Sequence, residues 1–342
     1  MLTRPRLIRF GVSIGLAVLL LWFFLRNLDF AAVAGAIRGA RVGWIAVAVT
    51  AGLIATPPIR AWRWGRLLTG QPVTPLQLNA ATAIGFAAST LLPARAGEIV
   101  RPVALSRTAG IPFTPCLLSI ALERLIDLLS TVTLFVIYAV GWAPVALAGE
   151  AATRFALLRK SAFLLGAGTI VAMTLLTIFA LRPALARRIS IPLLRPFPER
   201  LARRLDGILT HLLDGLASLR TGRDAAAVAG QSAILWLVIC FQIWATLRAF
   251  DLDFPFPVTF FVLTWAVMGL AIPTPGGVGG YHAATAYSLA GFYAVPKETA
   301  AAFALVSHAV SFVPITLLGL GFLLTGGLSL KSLSAEKAGP GT

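Results

Sequence analysis

The sequence contains few charged residues and almost no cysteine. Charged side chains make up 12% of the 342 residues, about half the share found in soluble domains, while apolar residues make up 58%. Cys116 and Cys240 lie far apart in apolar stretches, so neither a disulfide framework nor a metal site is indicated. Nucleic-acid readout motifs are absent, and the formal net charge of +16 is better explained by a membrane surface. The composition predicts an all-α integral membrane protein.

Apolar runs long enough to cross a bilayer, which takes roughly 20 helical residues, recur along the chain. They lie at about 8–25, 42–59, 114–140, 161–181, 226–247 and 299–326. The uncharged part of the first run, Phe10 to Leu25, follows Arg4, Arg6 and Arg9 and could pass for a signal peptide. No convincing cleavage site follows it, so a retained helix is expected. About six full transmembrane helices are therefore predicted.

Two further apolar segments are broken at matching places in the two halves. Leu67 to Ala94 carries no charge and runs into a Pro-Ala-Arg-Ala-Gly-Glu sequence, and Phe254 to Pro296 is split by Pro-Thr-Pro-Gly-Gly-Val-Gly-Gly. Unwound backbone at membrane depth is tolerated only where protein or a water-filled cavity satisfies its polar groups. Paired breaks of this kind indicate a transport site between two repeats.

The distribution of arginine and lysine predicts the topology, because these residues accumulate in cytoplasmic loops. Arg95, Arg101 and Arg107 place both ends of the first broken segment in the cytoplasm. Because helix 226–247 starts from the cytoplasmic arginines and the last helix ends at Lys331 and Lys337, both ends of the second broken segment are expected outside. Two oppositely oriented re-entrant hairpins follow, in an inverted-topology repeat at about 7–140 and 161–326 with both termini cytoplasmic. The alternative is two ordinary pairs of full spans, giving eight to ten helices.

The remaining parts of a single membrane domain at 1–330 are basic or polar. The cytoplasmic segment 182–223 is rich in arginine, and within it 200–219 has the pattern of an amphipathic helix that lies on the anionic leaflet or caps the helix bundle. The arginines and tryptophans at 60–66 are typical of an interfacial membrane anchor. Residues 331–342 are expected to be a short disordered cytoplasmic tail.

Three ionisable residues lie close to the middle of the predicted helix 114–140. Glu123 and Asp127 share a face, and Arg124 is placed to pair with Asp127. At roughly 2.5–3.5 kcal/mol each, such residues are too costly to face lipid and indicate a functional site. The alternative is a structural ion pair with Arg95 or Arg101 that locks the first hairpin.

Residues at both breaks complete the candidate site. Arginines at the first break suit a phosphate headgroup, unless they only snorkel to the interface, and a helix starting at the second break would direct free N–H groups at an anion. His308 lies in the last helix at a symmetry-related position, although a packing role is the ordinary one for such a histidine. The predicted substrate-binding residues are Arg95, Glu98, Arg101, Glu123, Arg124, Asp127, Gly276, Gly277, Gly279, His282 and His308.

The order of these elements resembles the flippase-like family also called the lysylphosphatidylglycerol synthase transmembrane region. The resemblance covers roughly residues 7–326 and lies in Arg60-Ala61-Trp62-Arg63-Trp64, Gly97-Glu98 with Arg101, Glu123-Arg124 with Asp127, and the 273–279 motif. It implies a lipid translocator acting on phospholipids, hopanoids or polyprenyl-linked lipids, without the synthase domain. Where the family usually has a glutamate past the Pro-Gly-Gly motif this chain has His282, which implies a changed headgroup or proton dependence.

The predicted function is therefore a bacterial inner-membrane flippase or scramblase for an anionic or amino-acylated phospholipid or a related lipid. No enzymatic activity, metal, cofactor or nucleic-acid partner is expected, and a homodimer or a separate lipid synthase is compatible with the sequence. Two alternatives remain. One is an intramembrane lipid-modifying enzyme that uses Glu123 and Asp127 with His282 or His308, and the other is a membrane partner of a separate synthase or glycosyltransferase.

Overall fold

The computed structural model describes residues 4–68, 70–92, 96–143, 149–182, isolated positions between 184 and 207, and 221–325. Across this described part of the chain the regular structure is helical, as the composition predicts. Arg95, most of the basic segment 182–223 and the predicted tail 331–342 lie outside the described residues.

The long helices follow one another with short connections. Their bounds are α1 Arg4–Leu25, α2 Phe30–Gly39, α3 Val42–Leu67, α4 Pro75–Leu91, α5 Gly97–Ala109, α6 Phe113–Gly141, α7 Gly149–Leu181, α8 Gly222–Ala249, α9 Val258–Leu270, α10 Gly280–Tyr293 and α11 Lys297–Thr325. Local sequence sets several of these ends. Thr74 and Gln77 form a capping box at α4 with Pro75 at the first helical position, and Asp29 accepts hydrogen bonds from two backbone N–H groups at the start of α2.

Four of these helices are long and apolar enough to cross a membrane by length and composition. They are α3, α7 from Thr153 to Leu175, α8 and α11, and a fifth candidate is the pair formed by α1 and α2, which bends by 88°. The predicted span at 42–59 continues to Leu67 through a π-helical turn at Ala55–Ile59, where two prolines interrupt the regular hydrogen-bond ladder. The chain is thus a multi-pass membrane protein.

Both predicted breaks separate helices that fold back on each other. Hairpin 1 consists of α4 and α5, and hairpin 2 consists of α9 and α10 with a short 3₁₀ turn at Pro275–Gly277 between them. The returning arm of hairpin 1 extends to Ala109, so Arg101 is buried inside the hairpin, with 4% of its surface exposed. Its charge is therefore paired with protein groups inside the hairpin, and the predicted orientation of the hairpin in the membrane stays a prediction.

A pair of glycines brings the two arms of each hairpin into backbone contact. A Cβ atom on Gly97 would overlap the carbonyl oxygen of Gly85 and the hydroxyl of Ser89. In hairpin 2, a Cβ atom on Gly269 would overlap the carbonyl oxygen of Gly280. Small residues let helix backbones approach closely where lipid supplies no hydrophobic driving force. In both hairpins, glycine therefore allows the two arms to pack backbone against backbone.

The hairpins meet at their breaks. The space beside Gly276 is closed by Thr90 at the end of α4, whose Cγ2 atom would lie 3.4 Å from a Cβ atom on Gly276. Each half also supports the other, because α11 packs along α4 of hairpin 1 and α6 packs on α9 of hairpin 2. The order helix, helix, hairpin, helix recurs in both halves, with α1 and α3 before hairpin 1 and α7 and α8 before hairpin 2.

Candidate functional site

Glu123 lies at the centre of a buried ionic network. Its Oε1 atom accepts hydrogen bonds from Arg60 Nη1 at 3.0 Å, Arg101 Nη1 at 2.7 Å and Arg124 Nη2 at 2.6 Å. The carboxylate is completely buried, and it joins α3, α5 and α6. The contact with Arg101 is the one that the alternative interpretation, a structural ion pair to the first hairpin, required.

Asp127, one turn further along α6, extends the network. Its carboxylate accepts from Arg60 Nη1 at 2.7 Å and from Arg63 Nη2 at 2.6 Å, and it lies 3.1 Å from Arg124 Nη2. The predicted pair of Arg124 and Asp127 is thus present. Arg63 also donates to the hydroxyl of Ser232 on α8 at 3.1 Å, which ties the network to the second half of the chain.

Arg60 and Arg63 are network residues, and the interpretation of segment 60–66 as a membrane anchor was wrong for them. Arg60 is 5% exposed and Arg63 is fully buried, as is Trp64, whereas Trp62 is 53% exposed. The helical spacing explains the difference, because Arg60, Arg63 and Trp64 share the face that packs on the bundle. This helical spacing is a sequence signal that could have identified Arg60 and Arg63 as residues that face the protein interior.

A small cleft opens beside the network, between the arms of hairpin 1 and α6. It is lined by Gly85, Phe86, Ser89, Gly97, Glu98, Arg101, Ile120 and Arg124. Its volume is about 60 Å³, well below the roughly 300–1,000 Å³ of typical ligand pockets. Arg124 is the most exposed member of the network, with 38% of its side chain accessible. Several predicted site residues therefore line one cleft, which is narrow in this conformation.

The guanidinium of Arg101 is only partly used by the protein. Nη1 is bonded to Glu123, and the plane stacks on Trp64 with its central carbon 4.0 Å from the ring centroid. Its Nε and Nη2 atoms are buried and have no hydrogen-bond partner. These two N–H groups form one edge of the guanidinium, the edge that matches two oxygens of a phosphate or carboxylate.

The remaining predicted residues form a second group at the break of hairpin 2. Gly276, Gly277 and Gly279 all have positive φ angles, between 59° and 85°, which only glycine adopts without strain. His308 Nε2 lies 2.7 Å from the carbonyl oxygen of Gly276, and its ring centroid lies 4.6 Å from that of His282. The histidines thus hold the backbone of the break.

The residue before α10 is bonded and covered within the protein in this conformation. The N–H of Gly279 donates to His282 Nδ1 at 3.2 Å, so this histidine, in the first turn of α10, caps the helix. Helix α1 also covers the break, because a Cβ atom on Gly279 would contact the backbone at Leu20 and Leu21, and the hydroxyl of Ser13 donates to the carbonyl of Pro273 at 2.7 Å. One N–H group at the predicted anion site, that of Gly279, is therefore bonded within the protein.

The second half contains a neutral counterpart of the charged network. Ser307 and Ser311 lie ten and fourteen positions into α11, as Glu123 and Asp127 do in α6, and the two helices are both 29 residues long. Ser307 pairs with Tyr281 of hairpin 2 at 2.9 Å, where Glu123 pairs with Arg101 of hairpin 1. Gln242 Nε2 donates to Ser311 at 3.3 Å. The two halves share an arrangement, but only the first carries charge.

Comparisons with known proteins agree with this architecture. The family model described as the lysylphosphatidylglycerol synthase TM region matches residues 8–319, nearly the whole chain. A glycosyltransferase named AglD from Haloferax volcanii is 26% identical over 286 residues, which cover 76% of this chain and 45% of the relative. The chain thus spans less than half the length of that relative. From its helices and its family match, the chain belongs to the family of the lysylphosphatidylglycerol synthase TM region.

Proposed function

We propose that the protein is a lipid translocase of the flippase or scramblase type, located in a bacterial inner membrane. The observation that carries the proposal is the contact between two broken-helix hairpins beside a cleft that contains buried arginine. Discontinuous helices that meet near the membrane midplane are the usual site of transport in inverted-repeat proteins. The hairpins are re-entrant from opposite sides in this proposal, with both termini cytoplasmic.

The lipid headgroup occupies the cleft between hairpin 1 and α6, while its tails stay in the bilayer. Arg101 and Arg124 line the cleft and supply donors for a headgroup phosphate. Because the cleft measures about 60 Å³, the headgroup enters only after the hairpins separate. The turn with three positive-φ glycines between α9 and α10 is placed to act as the hinge, since it contacts hairpin 1 through Gly276 and Thr90.

Arg124→Gln is expected to slow lipid translocation at least ten-fold without unfolding the protein. Arg124 is the most accessible arginine of the network, and the carboxylates keep three other arginines when its charge is removed. The measurement is leaflet-specific quenching of fluorescent lipids in proteoliposomes, with thermal unfolding in detergent as the check on folding.

Arg41→Gln is the matched control. Arg41 forms an exposed ion pair with Asp251, away from the cleft lining, and exposed pairs contribute little to stability. Its translocation rate should equal that of the wild type. Wild-type protein that moves no fluorescent lipid, or an Arg124→Gln variant as fast as Arg41→Gln, would argue against a translocase that uses this cleft.

A second candidate function is a membrane partner of a glycosyltransferase. The relative in Haloferax volcanii carries that name, and more than half of its length lies outside the matched region. In this case the chain would position or deliver a lipid for a separate enzyme. Crosslinking in native membranes followed by affinity purification should then recover a glycosyltransferase with the wild type. Recovery of the chain alone would favour independent transport.

A further inference from the structure

The charged network contains more cations than anions. Among the residues that the structure describes, four guanidinium groups (Arg60, Arg63, Arg101 and Arg124) surround two carboxylates, those of Glu123 and Asp127. Glu98 also lines the cleft, and counting it still leaves one excess positive charge. A buried excess charge is costly unless a counter-ion accompanies it. The site is therefore electrostatically incomplete as it stands.

The buried hydrogen-bonding groups that lack a partner show a similar excess, here of donors over acceptors. Within the described part of the chain, buried donors without a partner are found on Arg60, Arg63, Arg124 and, twice, on Arg101, whereas one buried carboxylate oxygen, Glu123 Oε2, lacks a partner. The two orphan donors of Arg101 lie on the Nε/Nη2 edge, whose geometry fits two oxygens of one phosphate. The missing ligand is thus an acceptor with more than one oxygen.

Carboxylates available to a cationic headgroup are scarce here. Glu123 is fully buried among three arginines, and Asp127 is bonded to Arg60 and Arg63. Glu98 already takes part in an interaction of its own. An ammonium group brought into the cleft would lie close to Arg101 and Arg124, which line it together with Glu98. Like charges at such distances, in a medium of low dielectric constant, strongly disfavour binding.

We propose that this cleft binds lipids whose headgroup carries a net negative phosphate group, with phosphomonoesters preferred, and that it rejects amino-acylated headgroups. The proposal rests on the proposed translocase function and narrows its substrate class. The phosphate occupies the Nε/Nη2 edge of Arg101, with Arg124 at the open side of the cleft. Both Arg101 atoms are shielded from solvent in the present conformation, so the anion docks as hairpin 1 moves away from α6.

The test measures binding separately from transport. Detergent-purified full-length protein is heated in the presence of dioctanoyl phosphatidate, dioctanoyl phosphatidylglycerol, dioctanoyl phosphatidylcholine, dioctanoyl lysyl-phosphatidylglycerol or inorganic phosphate. A ligand that binds only the folded state raises the unfolding temperature with concentration. Phosphatidate should bind at least ten-fold more tightly than the lysyl lipid, with phosphatidylglycerol between them.

Two variants link this preference to the cleft. Arg124→Gln should weaken phosphatidate binding, and Arg124→Glu should reverse the order, so that the lysyl lipid binds more tightly than phosphatidate. If Arg124→Glu fails to fold, the weakened binding of Arg124→Gln carries the test. The Arg41→Gln variant should behave as the wild type.

The other outcomes are decisive in the opposite direction. Equal or tighter binding of the lysyl lipid by the wild type overturns the proposal, as does equal stabilisation by all lipids or stabilisation by none. Stabilisation by inorganic phosphate alone shows a site for a free anion and overturns the lipid assignment. Selective phosphatidate binding with no flux in proteoliposomes leaves the charge preference intact and removes the translocase function.

Discussion

Glu123→Gln is expected to destabilise the protein by about 3–5 kcal/mol, the usual cost of removing one partner from a buried ion pair. The amide still accepts a hydrogen bond, but it leaves Arg60, Arg101 and Arg124 with Asp127 as the only carboxylate of the network. Since the carboxylate is completely buried, water cannot solvate the arginine charges that its removal leaves unpaired. The free energy of unfolding, measured by titration with a denaturing detergent, should show the loss.

Asp251→Asn provides the matched control. Asp251 also pairs with an arginine, but both side chains are about 60% exposed, and such pairs contribute roughly 0–1 kcal/mol. This variant should unfold within the error of the wild type. A Glu123→Gln variant as stable as Asp251→Asn would mean that the buried carboxylate does not neutralise the surrounding arginines.

Gly97→Ala is expected to disrupt hairpin 1 and reduce translocation at least ten-fold. The new methyl group would overlap the carbonyl oxygen of Gly85, which belongs to backbone and cannot rotate away. Overpacking of this kind costs about 1–3 kcal/mol or more, and separation of the arms would displace Arg101 and Glu98 from the cleft. Unfolding free energy and lipid flux should be measured on the same preparation.

Gly35→Ala is the comparison for this change. Gly35 is also helical, in α2, but no atom lies within 4 Å of its missing Cβ position. Removing a helical glycine in open space stabilises by about 0.5–1 kcal/mol, so this variant should be as stable as the wild type or more so. Equal behaviour of the two alanine variants would contradict the close approach of the hairpin arms.

Much of the architecture follows from patterns that are local in the sequence. Apolar runs predict the long helices, and the proline- and glycine-rich stretches at 93–97 and 273–280 predict where they break. The repeated order of elements also predicts that a residue in the last helix is equivalent to Glu123. The relation predicted His308 as the counterpart, whereas the residue at the equivalent helical position is Ser307.

The charged partners were harder to predict, because they depend on packing between distant segments. Arg60 and Arg63 lie 63 and 64 positions before their main carboxylates, and a cationic cluster next to tryptophan is also typical of a membrane interface. The contact of α3 with α6 and hairpin 1 is what distinguishes a buried ionic network from a cluster at the membrane interface. The capping role of His282 likewise depends on backbone geometry at Gly279.

The position of the network along the chain has a consequence for biosynthesis. Inserting α6 alone, with Glu123, Arg124 and Asp127 at its centre, would cost about 8–10 kcal/mol. Every other arginine of the network (Arg60, Arg63 and Arg101) precedes α6 in the sequence. As the ribosome delivers α6, its partners are already in the membrane, and N-terminal parts fold first. The order of these residues in the sequence therefore allows the charged part of the network to form before the second repeat is translated.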